Sequence, residues 1–364
     1  MRGRRILIAS WCLVVLGSML ATAEAGAAEN FSDCANFPHG DHPKVLLTNG
    51  KLDALVFLPD AKNGYYRSMR FDWSGVVGCV SLNGHKFFGE WFTQYDPLKN
   101  DSITGPVEEF RSDDSQREYN TQRPSELSVR PGAIGYNEAR PGETFLKPGV
   151  GVLRKVDDTP YQFGGAYPIV DTGKWTVKVG KRSVRFRQVL QGPGGYAFVY
   201  EKTLTLDKGQ PVMILQHSLK NTGKKTIETY VYDHDFFMLD GKPTGPGMVV
   251  HFKFEPKPQG EIGAAAKIEG NDLLYVDWLA PHKGVAGYLK GYSDDIRDYD
   301  FTVEDIRSKV GVQQTSDHSL ARLYFWSTQT TICPEGYIKL SVAPGKTTHW
   351  ALRYRFFAPS NSPS

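Results

Sequence analysis

"ETYVYDHDFFMLDG", residues 228–241, alternates as an extended strand does and then sets a histidine between two aspartates. Its period is two, the repeat of a half-buried strand and not of a helix. The alternation puts Tyr230, Tyr232, His234 and Phe236 on one face and Val231, Asp233, Asp235 and Phe237 on the other. A histidine among three aromatics suits a concavity that stacks on sugar rings. It equally suits a metal ligand, or a structural histidine satisfied by backbone, so its neighbours in the fold have to decide.

The same period runs outward from this stretch. "KVLLTNGKLDALVFLP" (44–59) reads as a hairpin across Asn49-Gly50, and "VVGCVSLNGHKFFG" (76–89) as another across Asn83-Gly84. "WTVKVGKRSVRFRQVL" (175–190), the long run 196–237 and "TTHWALRYRFF" (347–357) continue it. The chain has 37 Gly, 22 Pro and 12 % aromatic residues, which suits a turn-rich β-protein, and no repeat recurs at a fixed spacing. The prediction is an all-β fold, one large antiparallel β-sandwich over 26–358 with little helix. Residues 96–148 are polar and rich in Gly and Pro and read as a loop insertion at one mouth, with a short helix around "GPVEEF" (105–110). A second helix is expected at "TVEDIRSKVGV" (302–312), and a disordered tail at 359–364.

The N-terminus reads as an export signal. "MRGRR" is basic, "ILIASWCLVVLGSML" is apolar but shorter than a membrane span, and "ATAEAGAAE" offers cleavage near 25–27. Export implies a periplasmic or secreted protein with no membrane segment after cleavage. About 340 residues remain, enough for one large β-domain. Of the four cysteines, Cys34, Cys79 and Cys333 lie beyond the signal, and Cys34 with Cys79 is the preferred disulfide. The formal charge of +3 and the lack of a basic block argue against nucleic acid as a partner. No G-x-S-x-G, phosphate loop or dinucleotide fingerprint occurs, and the cysteine spacing fits no zinc pattern. "HGDH" (39–42) resembles a metal cluster only superficially, so no metal and no cofactor is implied. Arg140, Glu143 and Lys147 read as solvated charges.

Near the C-terminus "CPEGYIKLSVAPGK" (333–346) places Glu335 before a strand and a Pro-Gly turn. With "YDHDFF" (232–237) and "YYRSMRFDWSG" (65–75), in that chain order, this resembles the aldose 1-epimerase or galactose mutarotase-like superfamily. The resemblance implies that family's large sandwich. It sets His234 on the family's N-H-x-Y-F histidine, Glu335 on its glutamate and Arg70 on its substrate-binding arginine. Three departures stand out. Asp233 replaces the usual asparagine, Met69 replaces another, and the family's second histidine has no counterpart, a gap that His217 would partly fill. Tyr232 and Trp73 join Arg70 and His217 as candidate sugar contacts.

Interconverting anomers needs a proton taken from the anomeric hydroxyl and one given to the ring oxygen. A carboxyl with a pKa of about 4.3 is a base at neutral pH, and an imidazole near about 6.5 is partly charged. Glu335 is therefore expected as base and His234 as acid, its charge favoured by Asp233 and Asp235. The expected partner is a carbohydrate. A polysaccharide lyase acting on uronate-containing glycan and a non-catalytic sugar-binding module remain as alternatives.

Overall fold

A computed structural model describes residues 34–114 and 130–360. The proposed signal and the last four residues lie outside the described residues. Two large antiparallel sheets dominate. The first has ten strands, in the order Lys174–Val179, Ser183–Gln191, Ala197–Leu206, Val212–Asn221, Thr347–Phe357, Val310–Ser316, Asp300–Asp305, Met248–Phe252, Asp272–Tyr275 and Ala266–Glu269. The second has seven, in the order Lys257–Pro258, Val285–Lys290, Arg322–Ser327, Ile332–Val342, Ile227–His234, Val107–Asp114 and Arg130–Gly132. Strict alternation makes these strands: in Ala197–Leu206 every second side chain is buried. Phe186, Phe198, Leu204, Leu215 and Tyr354 of the first sheet meet Phe110, Val231, Leu323, Phe325 and Leu340 of the second in one core.

The seven-stranded sheet is covered on its other face as well. A second core of Phe57, Tyr65, Phe71, Phe145, Leu153 and Tyr161 packs there with Phe236 and Cys333. It is carried by a small sheet of Lys44–Thr48, Leu52–Phe57, Val77–Leu82 and His85–Lys86, and by another of Thr144–Lys147, Gly151–Arg154 and Ile169–Asp171. Cys34 and Cys79 are joined in a disulfide within this layer. Asn83 and Gly84 both take positive φ (53° and 81°), the backbone that a two-residue hairpin turn demands and Asn-Gly supplies.

Three expectations change. "GPVEEF" is not helical: Val107–Asp114 is a strand, paired to Ile227–His234 from Tyr230↔Arg111 to His234↔Val107. The 96–148 stretch is thus no mere insertion, because a strand within it belongs to the main sheet. "TVEDIRSKVGV" is a hairpin, Asp300–Asp305 against Val310–Ser316, with Lys309 at φ 57° in its turn. In its first strand the buried positions recur every second residue, a pattern hidden because Glu304 and Arg307 mimic the charge spacing of a helix.

Candidate functional site

The seven-stranded sheet sends odd-numbered side chains of Ile332–Val342 and even-numbered ones of Ile227–His234 away from the main core. Cys333, Glu335 and Tyr337 therefore lie beside Tyr232 and His234 on the outer face, joined by Glu109, Arg111, Tyr324, Trp326 and Tyr288 from neighbouring strands. A cleft of about 470 Å³ opens over them, lined by Arg70, Trp91, Asp101, Arg111, Phe163, His234, Phe236, Tyr288, Tyr324, Trp326 and Glu335. This volume falls in the roughly 300–1,000 Å³ range of small-molecule sites. Four of the lining groups are large apolar rings, the material that packs on the C–H faces of a sugar.

His234 and Glu335 meet on the cleft floor, with Nε2 3.4 Å from Oε1 and each residue only 3 % exposed. The His234 ring stacks on Phe236 at 3.8 Å between centroids, and Phe236 stacks on Trp91 at 5.2 Å. Phe236 holds φ 49°, a left-handed conformation rare for a bulky residue. There its N–H donates to Cys333 Sγ at 3.0 Å, and the same sulfur lies 3.0 Å from His234 Nδ1. Tyr337 Oη donates to Glu335 Oε2 at 3.2 Å and accepts from Arg111 Nη1 at 3.0 Å.

The charge states differ from those expected of the sequence. Burial drives the His234 imidazole well below its ordinary value, with the nearby Arg70 acting the same way. Burial pushes the Glu335 carboxyl up to about 8, against the pull of Arg70 and Arg111. Both shifts favour the uncharged forms, a neutral histidine and a protonated glutamate, over an imidazolium and a carboxylate. Asp233 and Asp235 do not supply the charge bias either. They point the other way, between the sheets, where burial raises Asp233 to about 8 and Asp235 well above the carboxylate range. Tyr354 Oη lies 2.6 Å from Asp233 Oδ2 and 2.8 Å from Asp235 Oδ1, and Gln314 Nε2 donates to Asp235 Oδ1 at 3.1 Å.

Arg70 reaches the cleft as expected. Its Nε donates to Glu109 Oε2 at 3.0 Å and its Nη1 to Asp101 Oδ1 at 2.5 Å, while its guanidinium lies over Phe71 and Phe163. The remaining candidate contacts are placed elsewhere. Tyr232 is buried beneath Arg70 and donates to Glu109 Oε2 at 2.5 Å. Trp73 packs in the second core with Nε1 donating to Ser68 O at 2.8 Å. His217 belongs to the ten-stranded sheet, on the far side of the cleft floor, where its Nε2 sits 2.7 Å from Glu108 and its ring stacks on Trp350. It cannot stand in for a second cleft histidine. Lys147 is no solvated charge: it is buried, donates to Arg70 O and Tyr161 Oη, and lies 3.5 Å from Glu109. His39 and His42 of "HGDH" turn to separate partners, Glu90 and the Asn63 carbonyl. Among the described residues no three His, Cys, Asp or Glu side chains converge as a metal site requires.

Glu109, Arg111, Asp101 and Trp326 were not anticipated from the sequence. "VEEFR" alternates correctly, but acidic groups on both of its faces disguise the strand, and only burial of both faces explains them.

No protein-family model matches the chain, and no curated protein matches it in sequence. Solved structures match it in fold. A galactose mutarotase-like protein from Clostridium acetobutylicum superposes with a TM-score of 0.50 at 11 % identity, over 87 % of this chain and 95 % of that one. A galactose mutarotase related enzyme from Lactobacillus acidophilus gives 0.48 at 12 % identity, over 88 % and 99 %. A galactose mutarotase-like protein from Lactobacillus casei gives 0.48 at 11 % identity, over 86 % and 100 %. The chain has the galactose mutarotase-like fold.

Proposed function

We propose that this is an exported carbohydrate-active enzyme that interconverts sugar anomers by acid–base catalysis in the cleft over His234 and Glu335. The observation that carries this reading is the approach of those two side chains, 3.4 Å apart on the floor of an aromatic-walled cleft. Export is supported by the basic and apolar N-terminus and by the Cys34–Cys79 disulfide.

The pair holds one transferable proton, and the buried site keeps it on Glu335. Glu335 gives that proton to the ring oxygen as the C1–O5 bond breaks. His234 Nε2 takes the proton of the anomeric hydroxyl, and C1 becomes an aldehyde. Rotation about C1–C2 presents the other face of the carbonyl. On closure the imidazolium returns its proton to the carbonyl oxygen, the carboxylate takes the hydroxyl proton, and both groups are restored. Arg70, fixed by Glu109 and Asp101, is placed to donate to sugar oxygens. Each positioned acid or base supplies roughly 10²–10⁴-fold.

The test is the decay of optical rotation of freshly dissolved α-anomers, neutral hexoses and hexuronates alike. The protein should speed the decay for at least one, and Glu335→Gln should reduce that rate by about 10²-fold or more. An unchanged rate in Glu335→Gln would remove the glutamate from the chemistry. A lyase remains the second reading, because Arg111 beside His234 could neutralise a uronate while the imidazole takes a proton. It would show itself as unsaturated-uronate absorbance released from an acidic polysaccharide.

A further inference from the structure

One cation of the cleft is answered by no carboxylate among the described residues. Arg70 is met twice, by Glu109 and by Asp101, and Lys147 shares Glu109 at 3.5 Å. Arg111 enters from the same strand two residues after Glu109 and so faces the same side. Its Nη1 donates to the Tyr337 hydroxyl, and its guanidinium carbon lies 5.7 Å from the centroid of Phe163 and 6.0 Å from that of Tyr337. No carboxylate among the described residues stands within ion-pair distance of it. A guanidinium carries five N–H donors in a planar fork matched to carboxylate and phosphate oxygens, and a hydroxyl and two rings leave most of that fork unused.

Its position is informative too. Tyr337 Oη bridges Arg111 and Glu335, so the spare cation stands one side chain from the acid–base pair. In a pyranose the exocyclic carbon is borne by C5, next to the ring oxygen that the pair must reach. A charged group on that carbon would fall beside Arg111.

We propose that the cleft takes an anionic sugar, and that Arg111 binds its charged group, either a ring carboxylate as in a hexuronate or a phosphate ester at C6. The location of the ring rests on the anomer-exchange reading above; the charge preference does not. A protonated Glu335, pushed up to about 8, fits such a ligand, because it adds no repulsion beside the anion.

Methyl glycosides cannot open, so they report binding apart from turnover. Calorimetric titration of the full chain with methyl α-galactoside, its C6 carboxylate and its 6-phosphate should show an anionic form bound roughly 10- to 100-fold more tightly than the neutral one. Added salt should narrow that gap. Arg111→Met should erase the preference, and Arg111→Lys should keep part of it. Preference for the carboxylate or for the phosphate identifies which anion the site serves. Equal binding of charged and neutral glycosides, a preference that survives Arg111→Met, or no binding of any of them would overturn the proposal. An anion preference in a protein that speeds no anomer exchange would leave this inference standing and remove the catalytic one.

Discussion

At His234 the sulfur of Cys333 does the work that a backbone carbonyl does at many histidines. Burial keeps the thiol protonated, and with a hydrogen on Nδ1 the ring satisfies the sulfur 3.0 Å away and turns the Nε2 lone pair to Glu335. Cys333 is thus a positioning residue. Cys333→Ala should lower kcat/KM by roughly 10-fold, the value of one lost hydrogen bond, and Cys333→Ser should recover most of it. Equal losses in both variants would point to packing alone. The pH profile carries a second signature. The competent form has neutral His234 and protonated Glu335, so kcat/KM should fall as pH rises through about 8 and show no loss as pH falls through about 6.5. An acid limb near about 6.5 would mean that the imidazole titrates as an exposed one does. Infrared titration supplies the assignment, through a protonated-carboxyl band that disappears in Glu335→Gln.

The strand Ile227–His234 was the most legible element, because Tyr230, Tyr232 and His234 fall on one face while Val231 and Asp233 fall on the other. Sequence alone could not show that both of its faces are interior. Asp233 and Asp235 read as groups that favour charge on His234 only while the opposite sheet is unknown. The strand beside it was missed for the same reason: Glu108 and Glu109 face opposite cores, and a doublet of buried carboxylates looks from sequence like a polar loop. Their partners, Lys202 and His217 for Glu108 and Arg70 and Lys147 for Glu109, come from distant parts of the chain. The cleft residues Arg70, His234 and Glu335 were legible through their resemblance to a known pattern, whereas Arg111 had no such signal. The join between the two strands gives a test at this scale. Gly105 lies so close that a Cβ there would run into the carbonyl oxygens of His234 and Asp235. Gly105→Ala should push the end of the His234 strand outward, destabilise the protein by roughly 1–3 kcal/mol and cut activity with it. Gly164→Ala, where a Cβ meets nothing within 4 Å, should leave thermal stability unchanged. Equal melting temperatures for both variants and wild type would show that the backbone yields freely at that join.

Across the whole molecule, the interface of the two large sheets is ionisable at its centre, and this fixes how stability should depend on pH. Glu108 is buried, but Lys202 at 2.5 Å and His217 at 2.7 Å hold it down to about 2, and Arg70 and Lys147 do the same for Glu109. A carboxyl depressed in the folded state contributes stability above its unfolded pKa, and that contribution is lost only as pH falls toward about 2. Asp233 behaves in the opposite way. Raised to about 8, it binds its proton more tightly folded than unfolded, so between about 4 and about 8 the folded state carries more protons and stability falls as pH rises. Asp235 and Glu335 add to the same slope. Asp233 Oδ1 and Asp235 Oδ2 have no hydrogen-bond partner, so ionising either carboxyl leaves a buried oxygen unsatisfied. The melting temperature should therefore be highest near about pH 5 and several degrees lower near about pH 8. Asp233→Asn keeps the shape and an acceptor for Tyr354 but cannot ionise, so it should flatten that decline while leaving the acid limb below about pH 4 in place. A melting temperature that climbs from about pH 5 to about pH 8, or a decline of equal steepness in Asp233→Asn, would mean that the carboxyls between the sheets are already ionised in the native protein.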